Sequence, residues 1–257
     1  MEANTVIKLI GLCAVVLVAA FFFWRYLWFY RNPERLVPRG DHLVSPADGT
    51  VVYAKKLDAA DPVIVIKRGV EASINDIIRE DIASPKFLIG IFMSPFDVHY
   101  NRAPLAGVVQ FVRHYPARTR NFHMTAMHVR TLLRTPPYEI GSLHILENER
   151  TVTRIAGRFK GSSVGCYVVQ IAGGSVSGID SHIREGDNVS KGQIFGMIRI
   201  GSQVDVVVPA LPDMRVKVRP GDKVRAGETI LIDCNHALKQ TRSHPPCTFS
   251  DGRGHRC

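Results

Sequence analysis

The sequence predicts a mostly β domain, a flattened barrel of two quasi-equivalent halves, behind one N-terminal transmembrane helix. Three observations predict it. An uncharged run lies near the N-terminus, short β-branched segments are punctuated by Gly, Pro and Asp, and a nine-residue pattern occurs twice in the C-terminal third.

The N-terminal element comes first. Residues 9–24 hold sixteen positions without a charge, and Tyr26-Leu27-Trp28-Phe29-Tyr30 extends the apolar character past Arg25. A spanning helix needs roughly 20 predominantly apolar residues, with aromatic side chains favoured where it leaves the bilayer. A cleaved signal peptide is the competing reading. It fits less well, because only Lys8 makes the leading segment basic and no small-residue cleavage site precedes Phe21-Phe22-Phe23-Trp24. Arg25, Arg31, Arg35 and Arg39 follow the span, whereas Glu2 and Lys8 precede it. The excess of cations after the span places the following domain in the cytoplasm, on a single-pass inner or plasma membrane protein. The formal charge of +10 favours an anionic partner, and the anchor makes that partner an acidic membrane rather than nucleic acid. Basic residues are dispersed and no nucleic-acid-binding module is present.

The expected organisation is an anchor over residues 1–30, a juxtamembrane linker over 31–43, the β domain over 44–233 and a disordered tail over 234–257. The linker holds Arg31-Asn32-Pro33 and Pro38-Arg39-Gly40. Strands are expected at Thr50-Val51-Val52-Tyr53, Val63-Ile64-Val65-Ile66, residues 87–92 and residues 167–171, each bounded by turn formers. Only residues 72–82 carry a helical pattern. Five scattered cysteines suit a reducing compartment better than a disulfide framework. Those in the tail, with His236, His244 and His255, match no standard zinc spacing.

The repeat pairs Arg184-Glu185-Gly186-Asp187-Asn188-Val189-Ser190-Lys191-Gly192 with Arg219-Pro220-Gly221-Asp222-Lys223-Val224-Arg225-Ala226-Gly227, 35 residues later. Gly-Asp supplies a tight turn, and an apolar strand follows each copy. Two such halves are the pattern of lipoyl-like barrel modules. The chain between the copies carries no lysine hairpin for a lipoyl or biotinyl group. Instead it carries Gly201-Ser202, a turn between apolar strands where a hydroxyl can attack the preceding carbonyl. An N-to-O acyl shift followed by elimination would cut the chain and leave a pyruvoyl group at position 202.

Three further segments are rich in groups that carry chemistry. Ser45-Pro46-Ala47-Asp48-Gly49 is a turn leading into a strand. Ser94-Pro95-Phe96-Asp97-Val98-His99 follows an apolar strand, and His99 is a group that titrates near neutrality. Asn148-Glu149-Arg150 closes another segment. His114, His123, His128 and His144, which lie between these segments, read as surface or structural residues.

Taken in order, Pro-Ala-Asp-Gly at 46–49, Ser-Pro-x-Asp-x-His at 94–99, Asn-Glu-Arg at 148–150, Val-Gln-Ile-Ala-Gly at 169–173 and Phe-Gly-Met-Ile-x-x-Gly-Ser at 195–202 resemble the phosphatidylserine decarboxylases. These are pyruvoyl-dependent enzymes of phospholipid biosynthesis, and the single span and compact size resemble the family's short subgroup. The resemblance covers roughly residues 31–233.

It implies a zymogen that cuts itself between Gly201 and Ser202 into two chains that stay associated, with Ser202 becoming the covalent pyruvoyl cofactor. It also implies that Asp48 is the acid that supports cleavage. His99 is the group beside the reacting carbon, and phosphatidylserine in the membrane is the substrate. The headgroup amine would form a Schiff base with the pyruvoyl carbonyl, which accepts the electron pair left by carbon dioxide and so leads to phosphatidylethanolamine. Arg102, Arg150 and Arg199 are the candidates for binding the lipid phosphate, no metal is implied, and a homo-oligomer stays open. Two positions depart from the longer members: Arg102 stands where they carry a second histidine, and Gln203 where they carry threonine. The alternative function is a non-enzymatic, membrane-tethered β-barrel adaptor or assembly protein. It accounts for anchor and repeat but has no use for Gly201-Ser202.

Overall fold

The computed structural model describes residues 3–58, 64–67, 70–72, 85–174, 178–199 and 201–234. The segment expected to be helical at 72–82 lies outside them except for Ala72, and so does the tail beyond Cys234.

A continuous helical segment, Ala3–Trp28, has a mean hydropathy of 2.7 and no buried side chain in its most apolar window, so it is long and apolar enough to cross a membrane. It begins as α1 (Ala3–Phe22) and widens over Phe23–Trp28, where the Phe29 amide reaches back five residues to the Trp24 carbonyl at 2.9 Å. The widened turn re-aims the chain, and Phe29 is fully buried against the β domain.

The domain is mostly β. In chain order its strands are β1 (Leu43–Val44), β2 (Gly49–Leu57), β3 (Ile64–Lys67), β4 (Val70–Ala72), β5 (Lys86–Met93), β6 (Tyr100–Arg102), β7 (Gly107–Tyr115), β8 (Arg150–Phe159), β9 (Ser162–Ile171), β10 (Ile179–Ser181), β11 (Asn188–Val189), β12 (Ile194–Ile198), β13 (Ser202–Pro209), β14 (Met214–Val216), β15 (Lys223–Val224) and β16 (Ile230–Cys234). Eight of them form one curled antiparallel sheet in the order β11-β7-β8-β9-β13-β5-β2-β15. The neighbouring inner strands β5 and β13 are buried on both faces, which explains why residues 87–93 of β5 read as a continuous apolar run rather than an alternating one.

Phe87, Ile89, Ile91 and Met93 of β5 join Val204, Val206 and Val208 of β13 on one face. The small sheets β1-β16-β14 and β10-β12-β6 cover that face with Leu43, Ile232, Phe195 and Ile198. On the other face Leu88, Phe92 and Val207 pack under the 116–148 segment, through Met124, Met127, Ile145 and Leu146. That segment contains two helices the sequence pattern did not disclose, α2 (Thr125–Leu133) and α3 (His144–Glu147). The expectation of a single helical pattern is corrected here. α2 is apolar on more than one side and α3 is a single turn, so neither has a readable 3.6-residue period.

The repeat is realised bond for bond. The Gly186 amide donates to Val109 O and the Gly221 amide to Val51 O, both at 2.8 Å. The Asp187 and Asp222 carboxylates accept from the Arg184 and Arg219 amides at 2.7 and 2.9 Å. The Gly192 and Gly227 amides donate to Ala103 O and Ser45 O, again at 2.8 Å. Each copy thereby lays a two-residue strand, β11 or β15, on opposite edges of the large sheet, so the two halves close its ends symmetrically.

Candidate active site

Register brings the separated motifs to one end of the sheet. On β5, Phe92 faces Thr50 on one side and Gln203 on the other, so Asp48-Gly49 and Gly201-Ser202 lie at the same strand end, two strand spacings or about 10 Å apart. β6 and β12 pair Tyr100 with Met197, and the Ile198 amide donates to His99 O at 3.3 Å. His99 therefore lies beside the turn that leads from β12 into Ser202.

Gly201 has φ of +61°, with open space where a Cβ would stand, as expected of the tight connection between β12 and β13. Ser202 is fully buried, and its hydroxyl donates to Met93 Sδ at 3.4 Å. The same sulfur accepts from Asn101 Nδ2 at 3.7 Å, and Asn101 Nδ2 also reaches Pro46 O at 3.4 Å. Gln170 Nε2 donates to Asn101 Oδ1 at 2.8 Å. One hydrogen-bonded chain thus ties the Pro-Ala-Asp-Gly turn, the Val-Gln-Ile strand and Ser202 around a thioether, which holds the serine hydroxyl only weakly.

His99 is fully buried. Its Nδ1 donates to the Asp97 carbonyl at 2.9 Å, and Phe29 stacks on the ring with centroids 4.4 Å apart. That bond sets the tautomer and leaves Nε2 as a free lone pair with no partner among the described residues. Burial is the main cause that pushes His99 down to about 4; the Asp97 carbonyl and carboxylate oppose it, and Arg31 adds to it.

Asp48 accepts two hydrogen bonds from Arg35 Nη2, at 2.8 and 3.0 Å, and one from the Ala226 amide at 2.7 Å. Burial nevertheless raises its carboxyl above the ordinary value, with Ala226 and Arg35 pulling the other way. Arg35 Nη1 also pairs with Glu228 at 3.3 Å. The linker is therefore pinned to the turn of the second repeat as well as to Asp48.

This geometry coincides with a sequence match. The family model for phosphatidylserine decarboxylase covers residues 11–232. The chain belongs to the phosphatidylserine decarboxylase family. A protein of Methanocaldococcus jannaschii named putative archaetidylserine decarboxylase proenzyme is 36% identical over 84% of this chain and 90% of its own. The phosphatidylserine decarboxylase proenzyme of Symbiobacterium thermophilum is 32% identical over 86% and 89%. A putative archaetidylserine decarboxylase proenzyme of Methanopyrus kandleri is 37% identical over 80% of each. The chain is accordingly an enzyme of this type, a lyase and decarboxylase of phospholipid biosynthesis belonging to a family of zymogens.

The three arginine candidates of this family member separate in space. Arg102 donates to Gly192 O at 2.9 Å and to Asn32 Oδ1 at 2.8 Å, so it clamps the linker beside the Asp48 cluster. Arg150 is 1% exposed and donates to Asn148 O at 3.3 Å, which puts it in the interior rather than on a headgroup-binding surface. Arg199, two residues before Gly201 in the chain, forms an exposed pair with Asp180 at 3.1 Å.

Sequence reasoning missed Phe29, Met93, Asn101 and the network behind Ser202. His144, read as surface or structural, is buried, and its Nε2 donates to Gln203 Oε1 at 2.9 Å. Gln203 Nε2 in turn donates to Tyr53 Oη at 2.6 Å and to Asp205 Oδ1 at 2.7 Å. The departure at Gln203 was the available signal, since a buried amide in a β strand requires partners.

Proposed function

We propose that the chain is a membrane-anchored phosphatidylserine or archaetidylserine decarboxylase that makes its own cofactor from Ser202. The observation that carries this reading is the placement of Ser202, His99 and Asp48 at one strand end, with the His99 Nε2 lone pair unused. In self-cleavage the Ser202 hydroxyl adds to the Gly201 carbonyl, and the peptide nitrogen leaves as an amine. The resulting ester is eliminated as the Gly201 carboxylate when Ser202 loses its Cα proton, and hydrolysis of the remaining enamine releases ammonia. Chains of residues 1–201 and 202–257 result, held together by the β13 pairings with β5 and β9. Asp48 supports the cleavage by fixing, with Arg35 and the Ala226 amide, the turn that lies across β5 from Ser202.

The buried serine, the open left-handed glycine before it and the orphaned imidazole nitrogen fit a pyruvoyl group at position 202. That group supplies the carbonyl that captures the headgroup amine and withdraws the electron pair left by carbon dioxide. His99 Nε2 takes a proton from the headgroup ammonium and returns one to the carbon that lost carbon dioxide. Phe29 excludes water from the ring while it does so. Arg199 is the exposed candidate for the lipid phosphate, and the positive flank of the anchor favours a cytoplasmic domain on a single-pass membrane protein.

The test compares wild type with Ser202→Ala in detergent by intact mass and by release of carbon dioxide from phosphatidylserine and its ether analogue. Two fragments meeting at 201/202 in wild type, with one chain and no release in the variant, are expected. An uncut wild-type chain overturns the reading.

A further inference from the structure

We propose that α2, together with Phe96, forms a second membrane contact that lies in the headgroup layer of an anionic bilayer beside the exit of the anchor. The helix carries two apolar faces. Met124 and Met127 enter the core, at 6% and 2% exposure. Val129, Leu132 and Leu133, spaced i, i+3 and i+4, form a second stripe at 49%, 74% and 64% exposure. A helix apolar on both sides needs cover on both, and no described residue covers the second stripe.

The position of that stripe names its occupant. The Phe96 ring, 64% exposed, lies 6.4 Å from the ring of Trp24 at the end of the membrane-spanning segment, and its carbonyl accepts from Arg31 Nη2. A groove lined by Phe96, Thr131, Leu132, Arg134 and Lys223 joins Phe96 to α2. The apolar stripe is therefore continuous with the anchor exit, and cations of the linker, of the α2 C-terminus and of the β15 edge rim it. Apolar side chains bordered by cations at the level where a helix leaves the bilayer match an anionic lipid surface. His128 lines this groove and also the neighbouring cleft that contains Gly201, so the contact would place the cleavage turn at headgroup depth.

The inference rests on the reading of the first helix as a membrane span, and the test separates the two. The full chain carries Cys13→Ser, Cys234→Ser, Cys247→Ser and Cys257→Ser, keeps the fully buried Cys166, and takes one bimane label at Leu133→Cys, Leu17→Cys or Lys160→Cys. It is reconstituted in vesicles of phosphatidylcholine and phosphatidylglycerol brominated either near the headgroup or near the chain terminus. Lys160 sits in the turn between β8 and β9, at the end of the sheet away from Ser202.

Label at Leu133 should lose emission roughly twofold to the shallow quencher and little to the deep one, because interfacial helices sit about 5–10 Å into the headgroup boundary. Label at Leu17 should respond to the deep quencher and label at Lys160 to neither. Unquenched label at Leu133 with quenched label at Leu17 overturns the second contact and leaves the anchor standing. Unquenched label at both positions overturns the contact and the anchor reading together.

Discussion

The ring of Phe29 lies over the imidazole of His99, with centroids 4.4 Å apart and planes inclined by 36°. Phe29 directly follows the apolar helix Ala3–Trp28, which is long enough to cross a membrane, and His99 belongs to the candidate site, so one aromatic contact joins that helix to the candidate site. It also removes water from the imidazole, and burial is the main reason His99 is held at about 4.

Phe29→Ala is therefore expected to let His99 rise toward its ordinary value of 6.5. A base that protonates at higher pH moves the acid limb of kcat/KM upward. The pH profile of the processed enzyme checks this; an acid limb that stays in place would show that Phe29 does not desolvate the ring.

Stability should fall on acidification. His99 and His144 are both held near 4 by burial, below the unfolded value of 6.5. Between those values the unfolded chain binds protons that the folded chain refuses, so their contribution is complete above about 6.5 and is lost toward 4. Asp205 acts in the opposite sense, because burial raises its folded value to about 6 and the folded carboxyl keeps a proton that the unfolded chain releases. Asp205→Asn removes the opposing proton. Between pH 4 and 6 the variant should lose stability more steeply than wild type, by about 1.4 kcal/mol per pH unit. Denaturant titrations across that window measure the slope.

Gln203 is held by His144, Tyr53 and Asp205, and all four side chains are buried. Gln203→Met keeps the volume but strands one donor and two acceptors. Leaving a buried polar group unsatisfied costs about 1–3 kcal/mol, so a loss of at least about 2 kcal/mol is expected. Self-cleavage should slow as well, because Gln203 follows the proposed cleavage point and its clamp fixes the strand carrying Ser202. Denaturation midpoints and the time course of fragment appearance report the two effects separately.

Two glycines at the site should respond differently to alanine. At Gly49 a Cβ would lie 2.2 Å from the Phe92 carbonyl oxygen, which belongs to the central strand and cannot yield. Gly49→Ala should prevent accumulation of folded protein. At Gly201 nothing stands within 4 Å, so only the positive φ is penalised, by about 1–2 kcal/mol. Gly201→Ala should fold, as a thermal melt of the detergent-solubilised chain would show.

Much of the fold was legible because its signals are local. The uncharged run, the turn residues of the two Gly-Asp copies and the β-branched runs each act over a few residues, and the repeat predicted two matching halves whose hydrogen bonds do match. α2 was not legible, because apolar residues on two faces erase the period that a helix would show. Within the site, the motifs of Asp48, His99 and Ser202 could be read along the chain. Arg150, grouped with the headgroup-binding candidates, lies in the interior, and nothing in its sequence surroundings separates a buried arginine from an exposed one.

By itself the sequence determined a helix able to span a membrane, a mostly β domain of two halves and the order of the chemical motifs, since hydropathy, turn propensity and spacing are written locally. Only the tertiary structure decided that Met93, Asn101 and Gln170 link those motifs, that Phe29 covers His99 and that Gln203 is clamped behind Ser202. Apart from the Gln203–Asp205 bond, these contacts join residues from 8 to 150 positions apart, and strand register and burial, which belong to the whole sheet, bring them together.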